Sequence, residues 1–360
     1  MRGGSRGPAS TSRAIPVACL MACWAWAAAL GQSARADQSG ARFEPGQATG
    51  RMGPYLGETP PGVTPRVFAP GVISRPETRE YAASLSPDGR EFYFTRTGDR
   101  QVIMVSRLGP QGWTFPEPVT FSAGFSAHEP HVTYDNRLVF WGWFRPPPQG
   151  ETSRARDYGI YMAERTPTGW SEARFVGDGM AVSSTRDGRL YVTDYGAGGG
   201  YLVEVTLVNG RFGERQRLRG GMDALRPTLT TNTAHPALAP DGSYIVFDIG
   251  GGPHLFVCFR NADGTWGEAI DLTRHGIPPE GGIASVSPDG QYLFFRDGGD
   301  IYWVSTTLIE NLRPGARTAP RAPGAAASPM PAAAGAAPPT APGGRTALRR
   351  PSNPHAPVTR

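Results

Sequence analysis

The sequence has 360 residues, of which 39% are hydrophobic and 19% charged, so it can bury a sizeable core. Its formal charge of +5 misleads, because four arginines lie in residues 1–36 and six in residues 314–360, with no acid in either segment. The body between them carries 26 basic residues, all Arg, against 31 acids; this net charge of −5 argues against nucleic-acid binding by the folded part.

Arg13 and the other early arginines precede an apolar run from Ala14 to Gly31, and Ser33-Ala34-Arg35-Ala36-Asp37 offers small residues at both positions a signal peptidase reads. This predicts a secretory signal over residues 1–36, cleaved after Ala36, and a periplasmic or extracellular product with no transmembrane span after cleavage. Leu20-Met21-Ala22-Cys23 offers a rival lipoprotein reading, but Trp24 to Leu30 simply continue the apolar core. Cys19 and Cys23 leave with the signal. Cys258 then stands alone in LFVCF, which excludes an intrachain disulfide and reads as a small buried strand residue rather than a nucleophile. Residues 37–65 read as a Gly/Pro-rich leader on the surface.

From residue 80 onward one device recurs. Ser86-Pro87-Asp88-Gly89 precedes REFYFT, Ala239-Pro240-Asp241-Gly242 precedes SYIVFD, and Ser287-Pro288-Asp289-Gly290 precedes QYLFFR. Weaker copies are Thr133-Tyr134-Asp135-Asn136 and Thr185-Arg186-Asp187-Gly188. Pro presets φ, Asp bonds the backbone two residues on and Gly supplies positive φ, so each copy predicts a hairpin turn feeding a strand. The turn aspartates are 47, 52, 54 and 48 residues apart, a period that marks a stacked or radial repeat. Each unit has a short first strand (AASLS, PHVTY, AVSST, PALA, ASVS), the strand after the turn, a third strand (VIMVS, IYMAE, LVEVT, LFVCF, IYWVS) and, in four copies, a second turn and a brief outer strand. The fifth copy stops at Ser305, and Arg66 to Ile73 is the candidate for its missing strand. The expected fold is therefore an all-β, five-bladed β-propeller over residues 66–313, closed by an N-terminal strand, because closure removes exposed sheet edges. Residues 314–360, rich in Pro and Ala, are expected to be a disordered tail.

The SPDG turn plus aromatic strand, the Gly-Trp turn and the closing strand resemble the WD40-like β-propeller repeat of the TolB type, over roughly residues 63–313. The resemblance implies an exported propeller, commonly a binding or scaffold module, with no single activity to carry over. Residues 37–65 are too short for the extra amino-terminal domain of TolB itself, so membership of the Tol system is not implied.

In such a ring the connections between second and third strands open on the same face as the connections between blades. That face would carry the insert Phe144–Asp157, Gly196–Gly200, Gly250–Pro253 and the connection Arg219–His235, and variable loops on a rigid scaffold are where binding concentrates. A polar residue stands just before each first strand: Glu80, His128 with Glu129, Asp178, His235 and Glu280. These would ring the channel mouth and can hold a cation, a sugar or a basic peptide. The competing expectation is that each carboxylate caps backbone N–H groups of the neighbouring blade. His128, Glu129 and His235 are the candidate ligands for a divalent metal, since imidazole and carboxylate suit Zn or Mn; His131, three residues from His128, should point away. No G-x-S-x-G elbow or phosphate-binding Gly loop appears. The leading expectation is a monomeric, non-enzymatic module that recognises an envelope or extracellular protein or glycan. The alternative is a metal-dependent polysaccharide lyase or glycoside hydrolase centred on the channel mouth.

Overall fold

Five antiparallel sheets follow one another along the chain and form a five-bladed β-propeller. The computed structural model describes residues 44–124, 126–144, 158–195, 200–225, 232–250 and 254–315. The predicted signal, residues 316–360 of the predicted tail, and most of the predicted binding loops (145–157, 196–199, 226–231 and 251–253) lie outside the described residues.

Blade 1 is built from Arg79–Leu85, Glu91–Thr97 and Gln101–Gly109, with two outer pieces, Gly112–Trp113 and Glu117–Pro118. Blade 2 contains Ala127–Val132, Leu138–Phe144 and Tyr158–Thr166, flanked by Gly169–Trp170 and Arg174–Asp178. Blade 3 runs Met180–Ser184, Leu190–Asp194, Tyr201–Val208 and Arg211–Arg217. Blade 4 runs Thr233–Leu238, Tyr244–Ile249, Leu255–Phe259 and Ile270–Asp271. In blade 5, Gly282–Val286, Tyr292–Asp297 and Asp300–Ser305 come from the end of the chain, and the fourth strand comes from its beginning. Arg66 lies opposite Trp303 and Val67 opposite Tyr302. That strand is shorter than the expected Arg66–Ile73: after Phe68 the backbone turns, and Phe68, Ala69, Val72 and Ile73 drop into the core.

The turns behave as their residue types dictate. Gly89, Gly242 and Gly290 have φ of 67°, 72° and 76°, and Asn136, in the one copy without Gly, has φ of 57°. Asp88, Asp135, Asp241 and Asp289 each accept a backbone N–H from two residues on, at 3.1, 3.0, 2.9 and 3.0 Å. The alternating apolar residues of second and third strands pack between blades. Phe92 and Phe94 of blade 1 meet Phe294 and Trp303 of blade 5, with Phe68 wedged among them. Trp141 of blade 2 packs on Tyr93, Ile103 and Val105 of blade 1.

The leader departs from its expected place on the surface. Tyr55 and Leu56 are buried in the same cluster as Phe92 and Phe294, both with positive φ. The Tyr55 hydroxyl donates to Asp289 Oδ2 at 2.6 Å, and Trp113 Nε1 donates to the Gly53 carbonyl at 2.7 Å. The segment therefore seals the joint between blades 1 and 5. Cys258 is fully buried and its thiol is pushed up to about 12 by burial, which keeps it protonated and inert. Among the described residues no helix is long and apolar enough to cross a membrane.

Candidate functional site

Every first strand breaks register at an equivalent point, and the residue there has positive φ: Ala82 (55°), Glu129 (56°), Ala181 (52°), His235 (51°) and Ile283 (50°). Side chains disfavour this conformation, β-branched ones most, at a cost on the order of 1–3 kcal/mol each. Bonds between blades hold it. Thr95 Oγ1 accepts from the Glu129 N–H, Thr193 Oγ1 from the His235 N–H, and Asp248 Oδ2 from the Ile283 N–H, all at 2.9 Å. One step further, Ser84 Oγ accepts from the Val132 N–H at 3.1 Å and Ser183 Oγ from the Leu238 N–H at 3.0 Å.

The register explains which second-strand residues do this. Thr95, Gly142, Thr193, Asp248 and Arg296 stand opposite the residue before each bulge. Blade 2 has no side chain at this point, and the His128 ring fills the space: a Cβ on Gly142 would lie 2.5 Å from His128 Cε1. Gly142 and His128 are thus one unit.

Two of the five bulge positions carry ionisable side chains, and the ring brings them together. Glu129 Oε1 lies 3.4 Å from His128 Nδ1 and 3.4 Å from His235 Nε2. On the far side of the His235 ring, Nδ1 is 2.9 Å from both oxygens of Asp248, whose side chain is fully buried. A chain of imidazole, carboxylate, imidazole and carboxylate therefore links blade 2 to blade 4. Burial opposes the charge on His235, but Asp248 first and Glu129 second outweigh it and raise the imidazole to about 10. Burial likewise opposes ionisation of Glu129, and the two imidazoles overcome it, holding the carboxyl well below the usual range. His131 makes a separate contact, because the bulge at Glu129 breaks the strand's alternation between the two histidines: Nε2 lies 2.8 Å from Ser184 Oγ, and burial pulls its imidazole down to about 4. His131 is only partly exposed and is among the residues that line the central cavity.

Glu129 Oε2 is buried and has no hydrogen-bond partner among the described residues. Glu129 also lines a cavity of about 50 Å³, together with Ala82, Ala181, His235 and Ile283, room for a few waters. At the other end Tyr134 and Pro288 bound the cavity. Because Ala127 pairs with Trp143 and Thr233 with Ile249, the starts of first strands lie at the same end as the connections between second and third strands. The charged end of the cavity is therefore on the loop-bearing face.

The remaining residues expected in the ring lie outside this cluster. Glu80 is buried within its own blade, paired with Arg96 Nε at 2.8 Å and bonded by the Thr78 hydroxyl and the Arg75 N–H. Burial is the main influence on Glu80, and its carboxyl is raised despite those partners. Asp178 and Glu280 are exposed; the Asp178 carbonyl accepts from Arg215, and burial first and repulsion from Glu280 second raise Asp297. Capping between blades does occur, but Thr95, Thr193, Asp248 and two serines perform it rather than these carboxylates. Among the described residues no three His, Cys, Asp or Glu side chains are arranged to hold a metal ion. Asp248 was not singled out in the sequence. Its signal was the alignment of SYIVFD with REFYFT, which sets an acid where that copy has Thr95.

No protein-family profile matches the chain, and no curated protein matches it either. Solved structures resemble the chain at low identity. A gluconolactonase from Xanthomonas campestris is 14% identical over 73% of this chain and 97% of its own, with a TM-score of 0.41. A puromycin-hydrolysing peptidase from Mycobacterium tuberculosis is 18% identical over 68% of this chain, which spans 37% of the peptidase, with a TM-score of 0.40. The β-propeller domain of Swd1 from Myceliophteria thermophila is 10% identical over 62% of this chain and 83% of its own, with a TM-score of 0.36. Likeness at this level says nothing about activity.

Proposed function

We propose that the protein is an exported binding module of the cell envelope or exterior, which holds a protein or glycan on its loop-bearing face without turning it over. One observation carries this reading: both ring nitrogens of His235 face carboxylates, at 2.9 Å from Asp248 and 3.4 Å from Glu129. A general base must offer an unprotonated nitrogen near neutral pH, and a general acid must be free to release its proton. An imidazole clamped in this way does neither, and a carboxylate shared between two imidazoles is a weak base. The cluster supplies fixed charge and shape, which serve recognition. Export rests on the predicted signal over residues 1–36, and the TolB-type resemblance of the repeat supports a binding role.

The test is a binding screen of the mature chain from Asp37 against an oligosaccharide array and a library of envelope peptides, with the recovered ligand analysed by mass spectrometry. Saturable binding with the ligand recovered intact is the expected result. Catalytic release of shortened or unsaturated products in the same samples would overturn the reading in favour of a lyase or hydrolase.

A further inference from the structure

We propose that the loop-bearing mouth of the ring binds the carboxylate of a hexuronic acid, and that the Arg296 guanidinium, at the joint between blades 5 and 1, receives it. The inference rests on the binding reading above and names the class of glycan that this site selects.

Arg296 breaks the pattern of the ring. In blades 1, 3 and 4 the second-strand residue at this place (Thr95, Thr193, Asp248) accepts the bulge N–H of the next blade at 2.9 Å. Arg296 holds the same place in blade 5, opposite Gly282, so its side chain is directed toward blade 1 and the Ala82 bulge. A guanidinium only donates and cannot repeat that bond. Main chain ties this joint instead, the Glu80 N–H donating to the Gly299 carbonyl at 2.9 Å.

The guanidinium is left without an acceptor. Its Nε is buried with no hydrogen-bond partner, and no carboxylate forms an ion pair with Arg296 among the described residues. Other half-buried arginines are paired: Arg96 with Glu80 at 2.8 Å, Arg165 with Glu91 at 2.6 Å and Arg217 with Asp223 at 2.7 Å. A buried donor without a partner is costly, so an acceptor from outside the fold is the complement. Arg296 is only half-buried, which leaves the guanidinium within reach of such a ligand. The carboxylates of the mouth are committed elsewhere. Glu80 is held by Arg96, Glu129 lies between His128 and His235, and Asp248 is held by His235. Asp297, the next residue on the strand, alternates to the opposite face, toward Glu280. Tyr81 stands on the blade 1 side of the joint, and burial keeps its phenol protonated, so it is a further donor.

A planar guanidinium matches a carboxylate through two parallel bonds, and one positive charge calls for one negative charge. Asp297 and Glu280 on the neighbouring connections repel a dianion such as phosphate, yet they accept hydrogen bonds from hydroxyl groups. A hexuronic acid brings one carboxylate and several hydroxyl donors on one ring. A peptide carboxylate brings no such hydroxyl groups.

The experiment is an NMR titration of the mature chain from Asp37 at pH 7 and constant ionic strength, following the arginine Nε–H signals. The probes are sodium glucuronate, glucose, sodium acetate and sodium phosphate. Glucuronate is expected to bind saturably and shift the Arg296 signal, which is identified by its loss in Arg296→Lys; glucose should leave it in place, and acetate should bind more weakly than glucuronate. Arg296→Gln should weaken glucuronate by at least about tenfold, the scale of a lost charge-assisted hydrogen bond, and should keep the wild-type urea midpoint because Arg296 ties no blade to its neighbour. No glucuronate binding, equal binding by wild type and Arg296→Gln, or tighter binding of phosphate or acetate than of glucuronate would each overturn the proposal. The wild-type comparison of the four probes decides the matter even if Arg296→Gln folds poorly. An envelope ligand bound intact and equally by wild type and Arg296→Gln would refute the uronate site alone. Turnover of that ligand would refute the binding reading itself.

Discussion

The buried His235–Asp248 pair should be visible in how stability depends on pH. His235 titrates near the ordinary 6.5 in the unfolded chain and at about 10 in the folded one. A group raised in this way stabilises fully below 6.5, and the stabilisation drains as pH rises through 10. At 1.36 kcal/mol for each pKa unit, about 3 kcal/mol should disappear between pH 6.5 and pH 9. His131 acts with the opposite sign. Burial lowers it to about 4, so below 6.5 the unfolded chain takes up a proton that the folded chain refuses. That should remove about 1.5 kcal/mol between pH 6.5 and pH 5. Glu129, held below the usual carboxylate range, adds a further loss as pH falls below 4.5. Stability should therefore peak near pH 6.5. The assay is urea unfolding followed by tryptophan fluorescence at half-unit steps from pH 5 to 9, stopping short of the range where tyrosines ionise. Asp248→Asn removes the largest attraction on His235, so it should lower stability at pH 6.5 by about 3–5 kcal/mol, as breaking a buried pair does. It should also flatten the alkaline limb. If wild type and Asp248→Asn lose stability with the same slope between pH 7 and pH 9, His235 is not the titrating group and the charge chain is misread.

Other consequences are local. Gly142→Ala places a methyl group 2.5 Å from His128 Cε1, so it should displace the ring and cost about 1–3 kcal/mol by overpacking, read as a lower urea midpoint with a shifted His128 imidazole resonance. Tyr55→Ala should cost about 3–5 kcal/mol, because it empties an aromatic site between blades 1 and 5 and removes the bond to Asp289. A chain starting at residue 63 should melt early for the same reason, and unchanged melting would show that the leader does not seal that joint. Gly290→Ala adds a Cβ that meets only ordinary contacts with Pro240 but must hold φ of 76°, so its cost, on the order of 1–3 kcal/mol in the same unfolding assay, should report backbone strain alone.

Local chemistry written in short stretches was enough to specify the repeat. Asp-centred turns at a regular period, three of them Pro-Asp-Gly and each feeding an apolar strand, determine five hairpins whose apolar faces must be covered by neighbours. Five such units and a stray strand at Arg66 pointed to a five-bladed propeller, and the turn glycines adopt the positive φ that their residue type permits. The buried cysteine was readable from its apolar run. The site was only partly readable, because it depends on which side chains the ring carries to its axis. His128, Glu129 and His235 meet, since two of them occupy equivalent bulges in blades 2 and 4 and the first lies beside one of those bulges. Asp178 and Glu280 stand at similar places in the sequence yet face solvent, and Glu80 is drawn to Arg96. Asp248 joined from a second strand more than a hundred residues after Glu129, and Gly142 mattered for the room it leaves. The leader told the same lesson, because Tyr55 reads as loop until blades 1 and 5 come together around it. Turns obey residue type at short range, whereas the partners of a buried charge are chosen by the closure of the ring, which no local stretch encodes.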